Sequence, residues 1–135
     1  MKAELGDLSI AHEIDGTANA YVYLIHLDEN MEHARHYIGY TTNLMRRLKQ
    51  HSIGDHNSSK FMREVYRRRI TWRVTKVWTF DLCQDAWNHE KRIKRSAKSA
   101  WYCPLCKDQQ RKRSAESMRK TRERRKKNKL ITQSE

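Results

Sequence analysis

Apolar and polar positions change period several times along the chain, and each change marks an element. Ala20–Leu27 (AYVYLIHL) is apolar on both alternating faces and rich in aromatic and β-branched residues. That is the pattern of a central strand covered on each side. Asp28-Glu29-Asn30 is a turn signal, and Arg35–Tyr40 (RHYIGY) reads as a second strand. The two predict an antiparallel hairpin whose loop is longer than the tightest turns. Thr41-Thr42-Asn43 offers N-cap oxygens to a helix over NLMRRLKQH. Leu44, Met45 and Leu48 point one way in it, and Arg47 and His51, one turn apart, share a face. Residues 54–57 form a loop, and Ser58 or Ser59 caps a second helix, KFMREVYRRR, with Phe61, Val65 and Met62 inward. Ile70–Phe80 is a third strand, placing Ile70, Trp72, Val74, Trp78 and Phe80 on one face with Lys76 as the exception. Cys83–Ala100 is a third helix with the apolar stripe Cys83, Ala86, Trp87, Ile93, Ala97. Glu90 interrupts that stripe.

The order strand, strand, helix, helix, strand, helix predicts an α+β fold: a three-stranded antiparallel sheet flanked by helices. A basic helical C-terminal tail follows. Three segments result: an irregular acidic leader over 1–19, a folded domain over 20–101, and a CxxC segment with the basic tail over 102–135. The length of 135 residues suits one domain with an appendage.

Charge adds what periodicity does not carry. The formal net charge is +13, and residues 107–129 hold 12 basic residues against Asp108, Glu116 and Glu123. Arg111, Lys112 and Arg113 open that run. Arg119, Lys120 and Arg122 follow, and Arg124, Arg125, Lys126 and Lys127 close it. Such a segment neutralises phosphates and releases their counterions, binding backbone without reading sequence. A solvated tail serving solubility is the plainer reading, yet solubility does not call for twelve cations on 23 residues. A polyanion such as nucleic acid is therefore the expected partner. A membrane partner is not expected: the tail has too few large apolar residues to insert a face into lipid. The longest apolar stretch, Ala20–Ile25, is far too short to span a bilayer. The amino-terminal residues lack the pattern of a signal peptide. Three cysteines argue against a secreted disulfide scaffold and for an intracellular, reducing compartment or a metal.

Glu90 is the first candidate for chemistry. A carboxylate inside an apolar stripe is costly unless it is ion-paired with an arginine or holds a hard divalent cation, and Glu90 by itself reads as the ion pair. Arg47 and His51 alone read as a solvated helix residue and a helix C-terminal histidine. Tyr23 and Tyr37, on neighbouring strands, read as core residues with hydroxyls at the rim. Gly39 marks a bulge or a place where a backbone or ligand comes close.

Taken together, YVY…HYIGYTTNLMRRLKQH and the later AWNHEKRIKR resemble the GIY-YIG nuclease family. Tyr21-Val22-Tyr23 stands for the first tripeptide of that family and Tyr37-Ile38-Gly39 for the second. Arg47, His51 and Glu90 fall where its arginine, histidine and metal-binding glutamate belong. Tyr21 departs from the glycine of the first tripeptide, and no asparagine follows Glu90 before Asn128. The resemblance implies an endonuclease that hydrolyses phosphodiesters with Mg²⁺ or Mn²⁺. In it Arg47 clamps phosphate oxygens, Glu90 holds the metal, and Tyr23 serves as base with its pKa lowered by nearby cations. His51 passes the proton on near neutrality, and Tyr37 orients water or phosphate. Gly39 and Lys60 are expected to join the nucleic-acid contacts. A homing or phage-encoded role suits so small and basic a chain, and a homodimer suits a duplex cutter with one site per chain. The alternative is a catalytically inactive protein on the same fold that binds nucleic acid, as part of an RNA-rich assembly.

Cys103-Pro-Leu-Cys106 has the spacing of half a zinc site. Two further ligands are required, and Cys83, His89 and His51 lack the matching spacing. A partner or second chain completing the site, a redox pair and two incidental cysteines remain the alternatives. The tail (RSAESMRKTRERRKKNK) resembles, by composition, the short basic helical modules appended to some mobile-element and phage nucleases.

Overall fold

The computed structural model describes residues 5–96 and 99–133. Their elements are β1 (Gly6–Asp7), α1 (Ser9–Ile14), β2 (Ala20–Met31), β3 (Ala34–Thr41), α2 (Leu44–Ile53), α3 (Lys60–Arg67), β4 (Trp72–Phe80), α4 (Cys83–Ser96), α5 (Ser99–Tyr102) and α6 (Pro104–Gln133). The class is α+β, and the sheet has the order β1-β4-β2-β3. β2 is antiparallel to both β3 and β4, and the short β1 runs parallel to β4.

The fourth strand corrects the reading of residues 1–19 as an irregular leader. Within it, β1 pairs with Trp72 and Arg73 of β4, and α1 packs onto the core through buried Leu8 and Ala11. Gly6 is required there, because a Cβ would fall inside the Trp72 indole. Residues 1–4 of that leader lie outside the described residues.

Local signals placed α2 and α3. The Asn43 side chain accepts from Arg46 N at 3.3 Å, and that of Ser59 accepts from Met62 N at 3.2 Å, so each helix has a side-chain cap on an otherwise unpaired amide. Gly54 closes α2 with φ 64°, the left-handed conformation glycine adopts without a steric cost.

The sheet separates two apolar layers. One joins Tyr21, Tyr23, Ile25 and Leu27 to Leu44, Leu48, Met62, Val65, Trp72 and Val74. The other joins Ala20, Val22, Leu24 and Ile38 to Ala86, Ile93 and Cys103. β4 does not keep one face throughout. Leu24 pairs with Lys76 but Ile25 pairs with Val74, so Thr75 is an extra residue. This bulge inverts the alternation. Trp72 and Val74 enter the first layer, whereas Trp78 and Phe80 pack on the second. The expected single face for all five apolar residues of this strand is thereby corrected.

The α4 stripe is narrower than its sequence suggests. Ala86 and Ile93 are buried, but Cys83 is exposed and Trp87 is 43 % exposed with the Lys91 ammonium over its ring. Ala97 lies outside the described residues. No helix among the described residues is long and apolar enough to cross a membrane. The tail forms α6, whose described side chains beyond Cys106 are exposed.

Candidate active site

Tyr23 is the centre of the site. It sits mid-strand in β2, directly opposite Gly39 of β3. A Cβ on Gly39 would lie inside the Tyr23 phenol, so this glycine exists to let the ring lie flat against the neighbouring strand. Gly39 is itself buried. The close approach expected at this position is thus made by Tyr23.

Tyr23 is 0 % exposed, and its Oη lies 2.7 Å from His51 Nε2. On the far side of the imidazole, Nδ1 lies 2.6 Å from Ser58 Oγ. With its proton on Nδ1, the ring donates to the serine and accepts from the phenol. All three residues are buried, so the hydrogen bonds are shielded from water and strengthened by the low local dielectric. α2 delivers His51 from its last turn, and the loop before α3 delivers Ser58.

Burial sets the charges. It lowers the His51 pKa to about 3, with the Arg47 guanidinium adding to the effect, so the imidazole is neutral at physiological pH. Burial also raises the Tyr23 phenol above its ordinary range. Tyr37 adds to this rise, and Arg47 opposes it without prevailing. Both directions differ from the sequence-based expectation of a lowered phenol and a histidine titrating near neutrality. Desolvation outweighs one nearby guanidinium at fully enclosed positions.

Tyr37 stands in front of this pair. Its ring is 6.3 Å from Tyr23 and 5.5 Å from His51, centroid to centroid, and stacks on Phe61 at 5.4 Å. It is only partly buried and borders an open pocket of about 280 Å³ shared with Phe61, Ile93 and Lys94. Arg47, one turn before His51, donates from Nη1 to the Asn57 carbonyl at 2.6 Å and to Gln50 Oε1 at 3.2 Å. Those bonds aim the guanidinium along the 55–58 loop, close enough to Tyr23 to act on its pKa.

Glu90 arrives from α4, packed on the other face of the sheet. Its side chain is 15 % exposed, and Oε1 pairs with Lys94 Nζ at 2.7 Å. Of the two readings of this carboxylate, the ion pair is present, with a lysine one turn on. Glu90 also acts electrostatically on both Tyr23 and Tyr40. A single carboxylate whose charge reaches two phenols could serve Mg²⁺ or Mn²⁺, which takes one or two protein oxygens and completes its shell with water and phosphate. Tyr23, Tyr37 and His51 are in ring contact, Arg47 bonds the loop beside them, and Glu90 reaches Tyr23 through its charge. Ser58 entered the sequence reading only as a cap candidate for α3, a role that Ser59 takes, and nothing in the sequence marked it as the partner of His51.

Of the basic residues expected to meet nucleic acid, Lys60 is exposed at the first turn of α3. Arg111, Lys112, Arg113, Arg119, Lys120, Arg122, Arg124, Arg125, Lys126 and Lys127 are exposed along α6. They stand on one long helix rather than on the domain.

A second group of side chains lies apart from Tyr23. Cys103 and Cys106 meet His26 of β2 and His36 of β3. Cys83, His89 and His51 are elsewhere: Cys83 is exposed, His89 packs against Trp78 and Phe80, and His51 belongs to Tyr23. Burial keeps both His26 and His36 below the ordinary imidazole range, His36 at about 4.

Comparison with known proteins bears on residues 19–102, which match the model of the GIY-YIG catalytic domain. No curated protein and no solved structure matches the chain.

Proposed function

The chain belongs to the GIY-YIG family of nucleases, and from that premise we propose that it is a Mg²⁺-dependent endonuclease hydrolysing phosphodiester bonds in DNA. The observation that carries this reading is the buried Tyr23–His51–Ser58 chain with Arg47, Tyr37 and Glu90 around it.

Glu90 would hold the Mg²⁺ or Mn²⁺ ion, whose charge favours departure of the leaving oxygen. The other work falls to this chain's side chains. Arg47 offers a planar pair of donors to the non-bridging oxygens, where charge grows in an in-line attack. Tyr37, at the rim, orients the attacking water or the phosphate. Tyr23 receives the proton of the water as its own passes to His51 Nε2. His51 is neutral with its Nε2 lone pair on the phenol; burial makes its imidazolium costly as well, so the transfer relies on the negative charge that a bound phosphate brings to the site. A concerted transfer never builds a free phenolate, which burial makes expensive here. The imidazolium that forms keeps its Nδ1–H on Ser58. Tyr23 is covered in the free protein, so substrate binding must open its hydroxyl to one water.

The exposed cations of α6 supply phosphate contacts without sequence readout. We place the substrate as DNA, the context as homing or phage-encoded, the site of action as intracellular, and the working form on a duplex as a homodimer. The Glu90–Lys94 ion pair favours one second reading, a nucleic-acid-binding protein without activity, because a paired carboxylate needs no metal.

Incubating the full chain with supercoiled plasmid, linear duplex and structured RNA, each with Mg²⁺ or with EDTA, separates the two. Metal-dependent nicking or linearisation of plasmid supports the endonuclease. A gel shift with every substrate intact, at low salt and across pH, supports the binding protein.

A further inference from the structure

We propose that His26, His36, Cys103 and Cys106 form a structural zinc site that fastens the start of the basic helix to the β2–β3 hairpin.

Geometry carries the assignment. His26 and His36 are direct cross-strand partners, with side chains on the second-layer face of the sheet. Cys103 and Cys106, flanking the first residues of α6, come down on that face. All four ligand atoms lie within 4.8 Å of one another. His26 Nδ1 is 3.4 Å from His36 Nε2, 3.6 Å from Cys103 Sγ and 3.5 Å from Cys106 Sγ, while Cys106 Sγ is 3.2 Å from His36 Nε2. Zinc binds nitrogen at about 2.0–2.1 Å and sulfur at about 2.3 Å, which gives a tetrahedron with edges of about 3.3–3.8 Å.

Hydrogen bonding does not account for this convergence. His26 Nδ1 has one proton or one lone pair, and three atoms crowd it at contact distance. A cation at the centre gives every one of those atoms a partner. The surroundings fit as well. His36 Nδ1 lies 3.2 Å from Ser99 Oγ, so an Nδ1–H donated to that hydroxyl leaves Nε2 free to bind metal. Thr75 Oγ1, the bulged residue of β4, sits 3.5 Å from Cys103 Sγ and can donate to a thiolate. Two thiolates and two imidazoles in a closed tetrahedron select zinc over the oxygen-preferring cation assigned to Glu90. The four protein ligands leave no position for substrate, so the role is structural.

The two halves of the chain depend on this site. CxxC lies at the junction between the domain and the thirty-residue α6. Zinc fixes the direction in which α6 leaves the sheet, and hence where its cations stand relative to Tyr37 and Arg47. The proposal does not rest on the nuclease reading.

The test is metal content and ligand spectroscopy on the full chain. Protein purified without chelator should hold about one zinc per chain, released by a thiol-blocking mercurial. Replacement by Co²⁺ should give the intense visible bands of a tetrahedral ion together with thiolate-to-cobalt charge transfer. Cys106→His, which exchanges one ligand type for another, should keep the metal and weaken the charge-transfer band. Cys103→Ser and His36→Ala should lose zinc. Loss of a structural metal can unfold a domain, so the wild-type cobalt spectrum decides independently of any variant. No bound metal, a metal other than zinc, an octahedral cobalt spectrum, or a Cys103–Cys106 disulfide in the protein as purified would each overturn the proposal.

Discussion

Replacing Tyr23 by Phe removes one hydroxyl and leaves the ring in place. That hydroxyl is the buried partner of His51 Nε2 at 2.7 Å, so the variant strands a ring nitrogen away from water. Leaving such a group unsatisfied costs about 1–3 kcal/mol. Each kcal/mol moves the melting temperature of a domain this size by about 4 °C. Loss of the proton acceptor should slow cleavage by about 10²–10⁴-fold. Tyr21→Phe is the control. Tyr21 is equally enclosed, and its hydroxyl bonds the Ala18 backbone at 3.0 Å and 3.1 Å, outside the site. It should lose similar stability and keep its cleavage rate once folded. A cycle with His51→Ala sharpens the case. Urea unfolding should give a coupling of about 0.5–3 kcal/mol between positions 23 and 51. Plasmid cleavage by the double variant should be no slower than by the slower single variant, because a relay fails once. Additive rate losses, or equal rate losses in Tyr21→Phe and Tyr23→Phe, would refute the relay.

Three further outcomes follow from the same geometry. Gly39→Ala drives a methyl into a ring held by His51, so thermal unfolding should show about 1–3 kcal/mol of destabilisation with cleavage impaired; a neutral result would mean that the ring gives way. His51 is neutral when folded, with a pKa of about 3 against an ordinary 6.5, so the unfolded chain binds the extra proton in between. Its contribution is present in full above about pH 6.5 and is lost as pH falls towards 3. Urea midpoints of the wild type should therefore drop more steeply with acid than those of His51→Gln, and parallel curves would contradict the assignment. Changing Arg124, Arg125, Lys126 and Lys127 to Gln should flatten the dependence of log K on log salt by about 0.9 for each phosphate no longer neutralised, measured by anisotropy; an unchanged slope would remove α6 from the interface.

Much of the fold was legible because its signals are local. Asn43, Ser59 and Gly54 punctuate α2 and α3 in the sequence as they do in space. What escaped was set by distant partners. β1 and α1 are too short to carry a period and exist through contacts with Trp72 and Ser52. A single extra residue at Thr75 reversed the faces of β4, and no residue type announces a bulge. Tyr23, Tyr37 and His51 lie in ring contact, but the charges of Tyr23 and His51 do not follow from sequence spacing. Burial beneath the first apolar layer of the sheet drives Tyr23 up and His51 down. The zinc ligands show the same limit. CxxC was visible, whereas His26 and His36 looked like strand residues; only the cross-strand register puts them face to face on the side where Cys103 descends.

A metal held by Glu90 is what separates a nuclease from a nucleic-acid-binding protein on this fold. Single-turnover cleavage of supercoiled plasmid in Mg²⁺, wild type beside Glu90→Ala, with binding of both measured by gel shift, tests it most directly. Metal held by Glu90 should give equal binding, nicking or linearisation by the wild type that EDTA abolishes, and no cleavage by the variant. Equal cleavage by both proteins, or binding without cleavage by either, would contradict it.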